Sequence, residues 1–250
     1  MGAEALELGV KIIAAYHRIE PYTEHHIALA AEGFDWIEAL RMLRRSAQLR
    51  AGVETFVITD QDLPVPHYRY STTESYLMLW ILEVTLKYLE SDDFDQNTVF
   101  LGADELVLKP LNFFLHADFD IAITSRPRLD KYKDKPLMTG LMWFPVASRD
   151  KLIAFYRKAL EIGRSLPTGQ KRWGADTTPI VELLAPIQSG TYQRSGMTVC
   201  VFPWPTLAEA GPVFIRKFRQ GKPPREDIAV LDFKYWYKRN MVEIYRRLFE

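Results

Sequence analysis

The sequence predicts an α/β fold, a single domain built on a mostly parallel central sheet flanked by helices. Three observations predict it. Short, apolar, β-branched runs alternate along the chain with longer segments of helical period. The first strand-like runs end directly in polar residues, at Tyr16-His17-Arg18, at Asp60 and at Gly102-Ala103-Asp104-Glu105, and open parallel sheets hold their ligands beyond such carboxyl ends. Finally, no internal repeat, low-complexity tract or linker divides the 250 residues, so one domain spans the chain.

The elements follow in order. Val10 to Tyr16 is rich in branched apolar residues and reads as a buried strand. Residues 33–50 place Trp36, Leu40, Leu43 and Ala47 at helical spacing, and Gly52 supplies a stop. Glu54 to Thr59 is a second strand, and Asp60 to Tyr70, with Pro64 and Pro66, reads as a loop. Thr73 to Glu90 is apolar on almost every side, which marks a buried helix. Thr98 to Leu101, Ile121 to Thr124 and Leu137 to Phe144 read as strands. Arg149 to Ile162 is a helix closed by Gly163. A further helix starts at Thr178-Pro179, with Thr178 as N-cap. Thr198 to Phe202 and Val230 to Phe233 are strands, and Met241 to Phe249 is an amphipathic helix.

Composition excludes several classes. Thirty-two basic residues balance thirty-two acidic ones, which argues against a protein that coats nucleic acid. The single cysteine, Cys200, rules out an internal disulfide and a cysteine-rich zinc site. The longest apolar run, Leu77 to Leu82, falls far short of the roughly 18–20 residues of a membrane-spanning helix. The acidic start lacks a basic segment, and Leu6 stands where a myristoylation signal has Ser or Thr. The expectation is a cytoplasmic protein. Charge is uneven, however. Residues 214–250 hold ten Lys or Arg against five Asp or Glu, either a solvated face or a basic segment that folds back over an anionic ligand. The basic segment also leaves peripheral membrane contact open.

The run Val99 to Leu111, with Gly102-Ala103-Asp104 and Pro110-Leu111, resembles a segment of GT-A fold glycosyltransferases, most closely the family 8 type and its relatives. There an apolar strand runs into an Asp-x-Asp motif, whose carboxylates hold a divalent cation on the diphosphate of a sugar nucleotide. Here Gly102 takes the place of the first Asp and Asp104 that of the second. Glu105 follows, but in an extended chain its side chain points away from that of Asp104. Leu137 to Phe144 resembles the family's donor-sugar strand, with Thr139-Gly140 at its polar positions. Trp173-Gly174-Ala175-Asp176 is similar to a Trp-Gly-Asp-Gln-Asp stretch beside the sugar, in a loose alignment. Ala229 to Lys238 resembles a His-Phe-x-Gly-x-x-Lys segment, with Asp232 in the His position. The resemblance covers roughly residues 10–240.

The resemblance implies a nucleoside-diphosphate sugar as donor, UDP-linked, and retention at the anomeric carbon. It implies Asp104 and Asp232 as ligands of Mn²⁺ or Mg²⁺, for which carboxylate oxygens are suited. Lys234 or Lys238 would neutralise the diphosphate. Thr139 and Gly140 would contact the sugar, and Tyr16, His17 and Asp60 the base. Asp176 would be the catalytic carboxylate, stabilising positive character on the sugar or taking the acceptor's proton. Each has a blander reading as well: Asp104 as a turn former, Asp232 as the partner of a structural cation, Asp176 as a complement to a helix dipole, and Lys234 and Lys238 as one solvated face. Two other functions stay in view. Sugar-nucleotide pyrophosphorylases carry a glycine-rich loop after the first strand, whereas Ala14 to Thr23 contains no glycine. A non-catalytic binding module is the alternative that Gly102 favours. The adjacent pair His25-His26 points to different sides and makes no metal site.

Overall fold

The computed structural model describes residues 9–17, 34–111, 118–125, 136–171, 175–202, 207–209, 212–233 and 235–250. The central sheet has eight strands. These are β1 (Val10–Ala15), β2 (Glu54–Thr59), β3 (His67–Arg69), β4 (Asn97–Leu101), β6 (Ile121–Ser125), β7 (Leu137–Phe144), β8 (Gly190–Arg194) and β9 (Met197–Phe202), in the order β3-β2-β1-β4-β7-β6-β9-β8. The expected parallel sheet is the β3-β2-β1-β4 half. Strand β7 then runs antiparallel to both β4 and β6, while β9 is parallel to β6. A second, three-stranded sheet joins β10 (Leu207–Glu209), β11 (Val230–Asp232) and β5 (Glu105–Val107).

Both faces of the parallel half are covered, which is why its strands read as continuous apolar runs. Alternate side chains of β1 go to opposite faces. Ile12 and Ala14 join Val57, Val99 and Leu101 beneath α1 (Trp36–Ala51), through Leu40, Leu43 and Ala47. Ile13 joins Ile58 and Phe100 on the other face, against α2 (Leu77–Glu90) and α3 (Arg149–Ser165). Helix α1 starts at Asp35, whose carboxylate accepts from Glu38 N–H at 3.0 Å. It stops at Gly52, which adopts φ 66° and donates to the Gln48 carbonyl. That conformation favours glycine.

Several boundaries differ from the sequence reading, each for a local reason. The segment expected as a loop contains β3, a short edge strand parallel to β2. Helix α2 begins at Leu77, later than expected, because the buried Glu83 carboxylate takes Thr73 N–H (2.8 Å), Thr73 Oγ1 (2.9 Å) and Glu74 N–H (2.9 Å) instead. Helix α4 (Thr177–Leu184) places Asp176 at its N-cap, so Thr178 lies inside and Pro179 still falls in the first turn, where its missing N–H costs nothing. Strand β8 forms a hairpin with β9 across Ser195-Gly196, at φ 52° and 74°. Two positive φ angles are what a tight hairpin turn requires.

Gly163 does not close α3 but sits inside it, at its crossing with α2. A Cβ there would lie 2.6 Å from Leu79 Cδ2, and Leu79 is fully buried. Gly163→Val is expected to overpack this contact and cost about 1–3 kcal/mol, read as a lower urea midpoint.

Asp120, at the start of β6, ties three elements together. It accepts from Ser148 Oγ (2.6 Å), Lys151 Nζ (2.8 Å) and Thr198 N–H (2.8 Å). Burial alone would push its carboxyl up, but the hydrogen bonds from Lys151, Ser148 and Thr198 outweigh this and hold it below the usual range. Its stabilisation is therefore complete above the unfolded value of about 3.9 and is lost as pH falls through the lower folded value. Asp120→Ala is expected to cost about 2–3 kcal/mol near neutrality. Urea unfolding at several pH values should show the gap from the unmodified protein closing below about pH 4.

Candidate functional site

Strand order moves outward from β1 in both directions, to β2 on one side and β4 on the other. In an open sheet of this kind ligands bind beyond the carboxyl ends of the strands that flank such a reversal, here β1 and β4. The sequence-predicted residues Tyr16, His17, Asp60, Gly102 and Asp104 all follow these strand ends. Strand β7 brings Gly140 alongside, through a Gly102 N–H to Gly140 carbonyl bond of 3.3 Å.

The β1/β2 side is a hydrogen-bonded group centred on Asp60. Its Oδ1 lies 2.8 Å from His17 Nδ1. Its Oδ2 accepts from Thr72 Oγ1 (3.1 Å) and Trp80 Nε1 (3.2 Å). The Trp80 ring also packs against the His17 ring, with centroids 4.9 Å apart. His17 and Asp60 remain partly open to solvent, with side chains 24% and 21% exposed. Trp80 is buried. The sequence reading missed Thr72 and Trp80. The one available signal was that a buried indole N–H needs an acceptor.

The β4 side is built on a buried ion pair. The Lys238 ammonium donates to Asp104 Oδ2, and both residues are over nine-tenths buried. The ammonium also stands over the Trp36 ring at 4.2 Å and the Phe34 ring at 5.9 Å, a favourable place for a desolvated cation. Trp36, at the start of α1, lies 6.4 Å from the Tyr16 ring. It thus stands between the Lys238 ammonium and Tyr16, the residue before His17. Sequence reasoning had assigned it only to the core.

Thr139 and Asp176 come together, with Thr139 Oγ1 donating to Asp176 Oδ2 at 3.0 Å. Asp232 is fully buried and faces Glu105 across the β11–β5 register. Lys234, Trp173, Gly174 and the His25-His26 pair lie outside the described residues.

Helices α5 (Pro212–Arg219) and α6 (Met241–Phe249) bury Ile215, Phe218, Ile244 and Tyr245 against Ala39 and Met42 of α1. Arg219 is tied to Glu243. Lys238, on the 3₁₀ turn Tyr235–Asn240 between them, is where the basic segment enters the site.

The implied divalent cation can be tested against these residues. Asp104 Oδ2 already receives an ammonium. A Cβ at Gly102 would lie 3.0 Å from both Asp104 Oδ1 and Glu105 Oε1, so the place of the missing first Asp is walled by two carboxylates. This also corrects the expectation for Glu105. The chain turns at 103–104, and both carboxylates face the Gly102 position. Among the described residues no three His, Cys, Asp or Glu side chains form a metal-holding group. The residues present do not fit Mn²⁺ or Mg²⁺ on Asp104 and Asp232, because a lysine ammonium stands where the cation is implied.

No protein-family model matches the sequence, and no curated protein matches it. Solved structures do match. A glycosyltransferase involved in the glycosylation of the major capsid of PBCV-1 aligns with a TM-score of 0.54 at 10% identity, covering 96% of this chain and 98% of that one. The galactosyltransferase LgtC, solved with donor and acceptor sugar analogs, aligns at 0.51 and 10%, covering 96% of each. The glycosyltransferase GlyE of Streptococcus pneumoniae aligns at 0.56 and 9%, covering 95% of this chain and 60% of that one. The chain therefore has the GT-A fold of nucleotide-sugar glycosyltransferases, consistent with the family 8 resemblance of its motifs. No described helix is long and apolar enough to cross a membrane.

Proposed function

We propose that the protein transfers a sugar from a nucleoside-diphosphate donor, UDP-linked, to an acceptor hydroxyl. The observation that supports this reading is the placing of polar residues after β1, β2 and β4: a hydrogen-bonded group on Asp60 suited to a base, and a buried ammonium suited to a diphosphate, which stands over Trp36 beside the Tyr16 ring. In the proposed step the bond between the anomeric carbon and the diphosphate oxygen breaks, and its electron pair leaves on that oxygen. The acceptor oxygen bonds to the anomeric carbon, and its proton passes to Asp176. Charge builds on the departing diphosphate, and a fixed ammonium in a desolvated site stabilises it strongly. Lys238 has that role. Thr139 orients Asp176 through their hydrogen bond, and Gly140 lets the sugar approach the backbone.

The test is calorimetry with UDP-, GDP-, CDP- and dTDP-linked sugars, each in EDTA and with Mn²⁺, followed by assay for nucleoside diphosphate release. Binding of a nucleotide sugar that persists in EDTA is expected, since Lys238 supplies the positive charge. Binding that requires Mn²⁺ would keep the transferase reading and return Asp104 and Asp232 to the ligand role. No binding under either condition would leave a GT-A fold used as a binding or scaffolding module.

A further inference from the structure

The group around Asp60 fixes more than the position of His17; it fixes which ring nitrogen carries the proton. Asp60 Oδ2 accepts from two donors that cannot accept in return along the same bonds, Trp80 Nε1–H and Thr72 Oγ1–H. Trp80 Nε1 also reaches Thr72 Oγ1 at 3.0 Å, which turns the hydroxyl proton toward Asp60. Asp60 is therefore an acceptor-only carboxylate at this site. Its Oδ1, 2.8 Å from His17 Nδ1, must then receive Nδ1–H. The Gln61 amide, at 3.4 Å from the same nitrogen, is too distant to compete with a charged acceptor. In the neutral imidazole the other nitrogen, Nε2, is left as a lone pair. Nε2 has no partner among the described residues. Trp80 packs against the ring, and the side chain is partly open to solvent. The site thus presents one hydrogen-bond acceptor in a fixed orientation.

We infer that His17 Nε2 selects donors whose base carries a ring N–H on its pairing edge, and that Asp60 is the positioning residue that sets this choice. The inference rests on the proposed function, in which the β1/β2 side holds the base. Uracil and thymine offer N3–H, and guanine offers N1–H. Cytosine at N3 and adenine at N1 offer lone pairs, which would oppose the lone pair of Nε2. Sites built to hydrogen-bond one group reject its mismatch because a desolvated polar atom is left unpaired.

Asp60→Asn gives the inference a signature that a merely structural role would not produce. Trp80 N–H and Thr72 O–H still need an acceptor, so the amide oxygen turns to them and the amide N–H₂ faces His17 Nδ1. Nδ1 then becomes the acceptor, and Nε2 carries the proton. A donor at Nε2 suits cytosine and opposes uracil.

The experiment is calorimetric titration of UDP and CDP, and of GDP and ADP, in mildly alkaline buffer. The unmodified protein is expected to bind UDP at least about tenfold more tightly than CDP, and GDP more tightly than ADP. Asp60→Asn is expected to reverse the UDP/CDP order, and His17→Ala to abolish the preference by weakening UDP alone. Circular dichroism and urea midpoints check that both variants fold. If Asp60→Asn does not fold, His17→Ala alone decides the matter. Equal binding of UDP and CDP by the unmodified protein, or a preference for UDP that survives in His17→Ala, would overturn the inference while leaving the transferase reading intact. Failure to bind any of the four nucleotides would overturn both.

Discussion

Lys238→Ala is expected to cost about 3–5 kcal/mol of stability, because it leaves the Asp104 carboxylate buried with its cation removed. Lys238 and Asp104 are both over nine-tenths buried, so water cannot replace the ammonium as it would at an exposed pair. The same variant is expected to abolish donor binding, the two effects being read separately by urea unfolding and by calorimetry. A paired variant separates them further. Lys238→Met with Asp104→Asn removes both charges and keeps most of the volume, and replacing a buried pair by neutral groups is often close to neutral for folding. This double variant should recover most of the lost stability and none of the donor binding. Recovery of binding in the double variant would show that the ammonium is not what holds the diphosphate. Full stability in Lys238→Ala would show that the pair is not buried in solution.

Lys11→Ala should be the most damaging change away from the site, at about 3–4 kcal/mol. Lys11 lies in β1, which is paired on both sides, and is 1% exposed. Its ammonium donates to the Asp93 carbonyl and, at 2.6 Å, to Asp95 Oδ1. It also stands 5.3 Å from the Tyr68 ring centre and 5.6 Å from that of Tyr88. Burial first, then the nearby Asp93, Asp95 and Glu54 carboxylates, push the Tyr68 phenol up to about 12, so the ring stays neutral at ordinary pH. Truncation to Ala opens a cavity beside these rings and strands the Asp93 carbonyl. The hydrogen bond from Lys11 is the main cause that draws the Asp95 carboxyl below its usual range. That carboxylate is 65% exposed, however, and the Asp95 pair itself contributes little after solvent screening. The cost therefore lies in packing and in the carbonyl. Lys11→Met, which fills the space, should recover about half of it. Urea midpoints of the two variants check this. A loss of the same size in both would put the cost in the charge rather than the cavity.

How far the sequence could be read differs by level. Alternating apolar and helical runs were enough for the fold, since burial on both faces of a parallel sheet leaves a strong periodic signal in strands such as Ile12-Ile13-Ala14 and in α2. From composition alone the site was legible as a set of strand ends, and the family resemblance added Thr139, Gly140, Asp176, Asp232, Lys234 and Lys238. Tyr16, His17, Asp60, Gly102 and Asp104 could be singled out because polar groups interrupt apolar runs there. Lys238 could be singled out through the family resemblance, but its contact with Asp104, like those of Thr72 and Trp80 with Asp60, could not. Trp80 is 20 residues from Asp60 and Lys238 is 134 from Asp104. A Trp inside an apolar helix and a Lys in a basic tail carry no mark of such contacts. The antiparallel course of β7 was hidden for a similar reason, since a buried strand has the same composition in either direction.

The sequence by itself determined the α/β layering and the polar residues that follow its strand ends. Only the tertiary structure decided what stands at those strand ends. It folds the 3₁₀ turn of the basic segment so that the Lys238 ammonium meets Asp104, and it brings Thr72 and Trp80 onto Asp60 so that His17 keeps one tautomer. The physical reason is a difference in range. Periodicity and strand termination are local properties that the order of residues carries directly. The charge state and proton position of a buried group depend on every partner that packing brings within a few ångströms, from whatever distance along the chain.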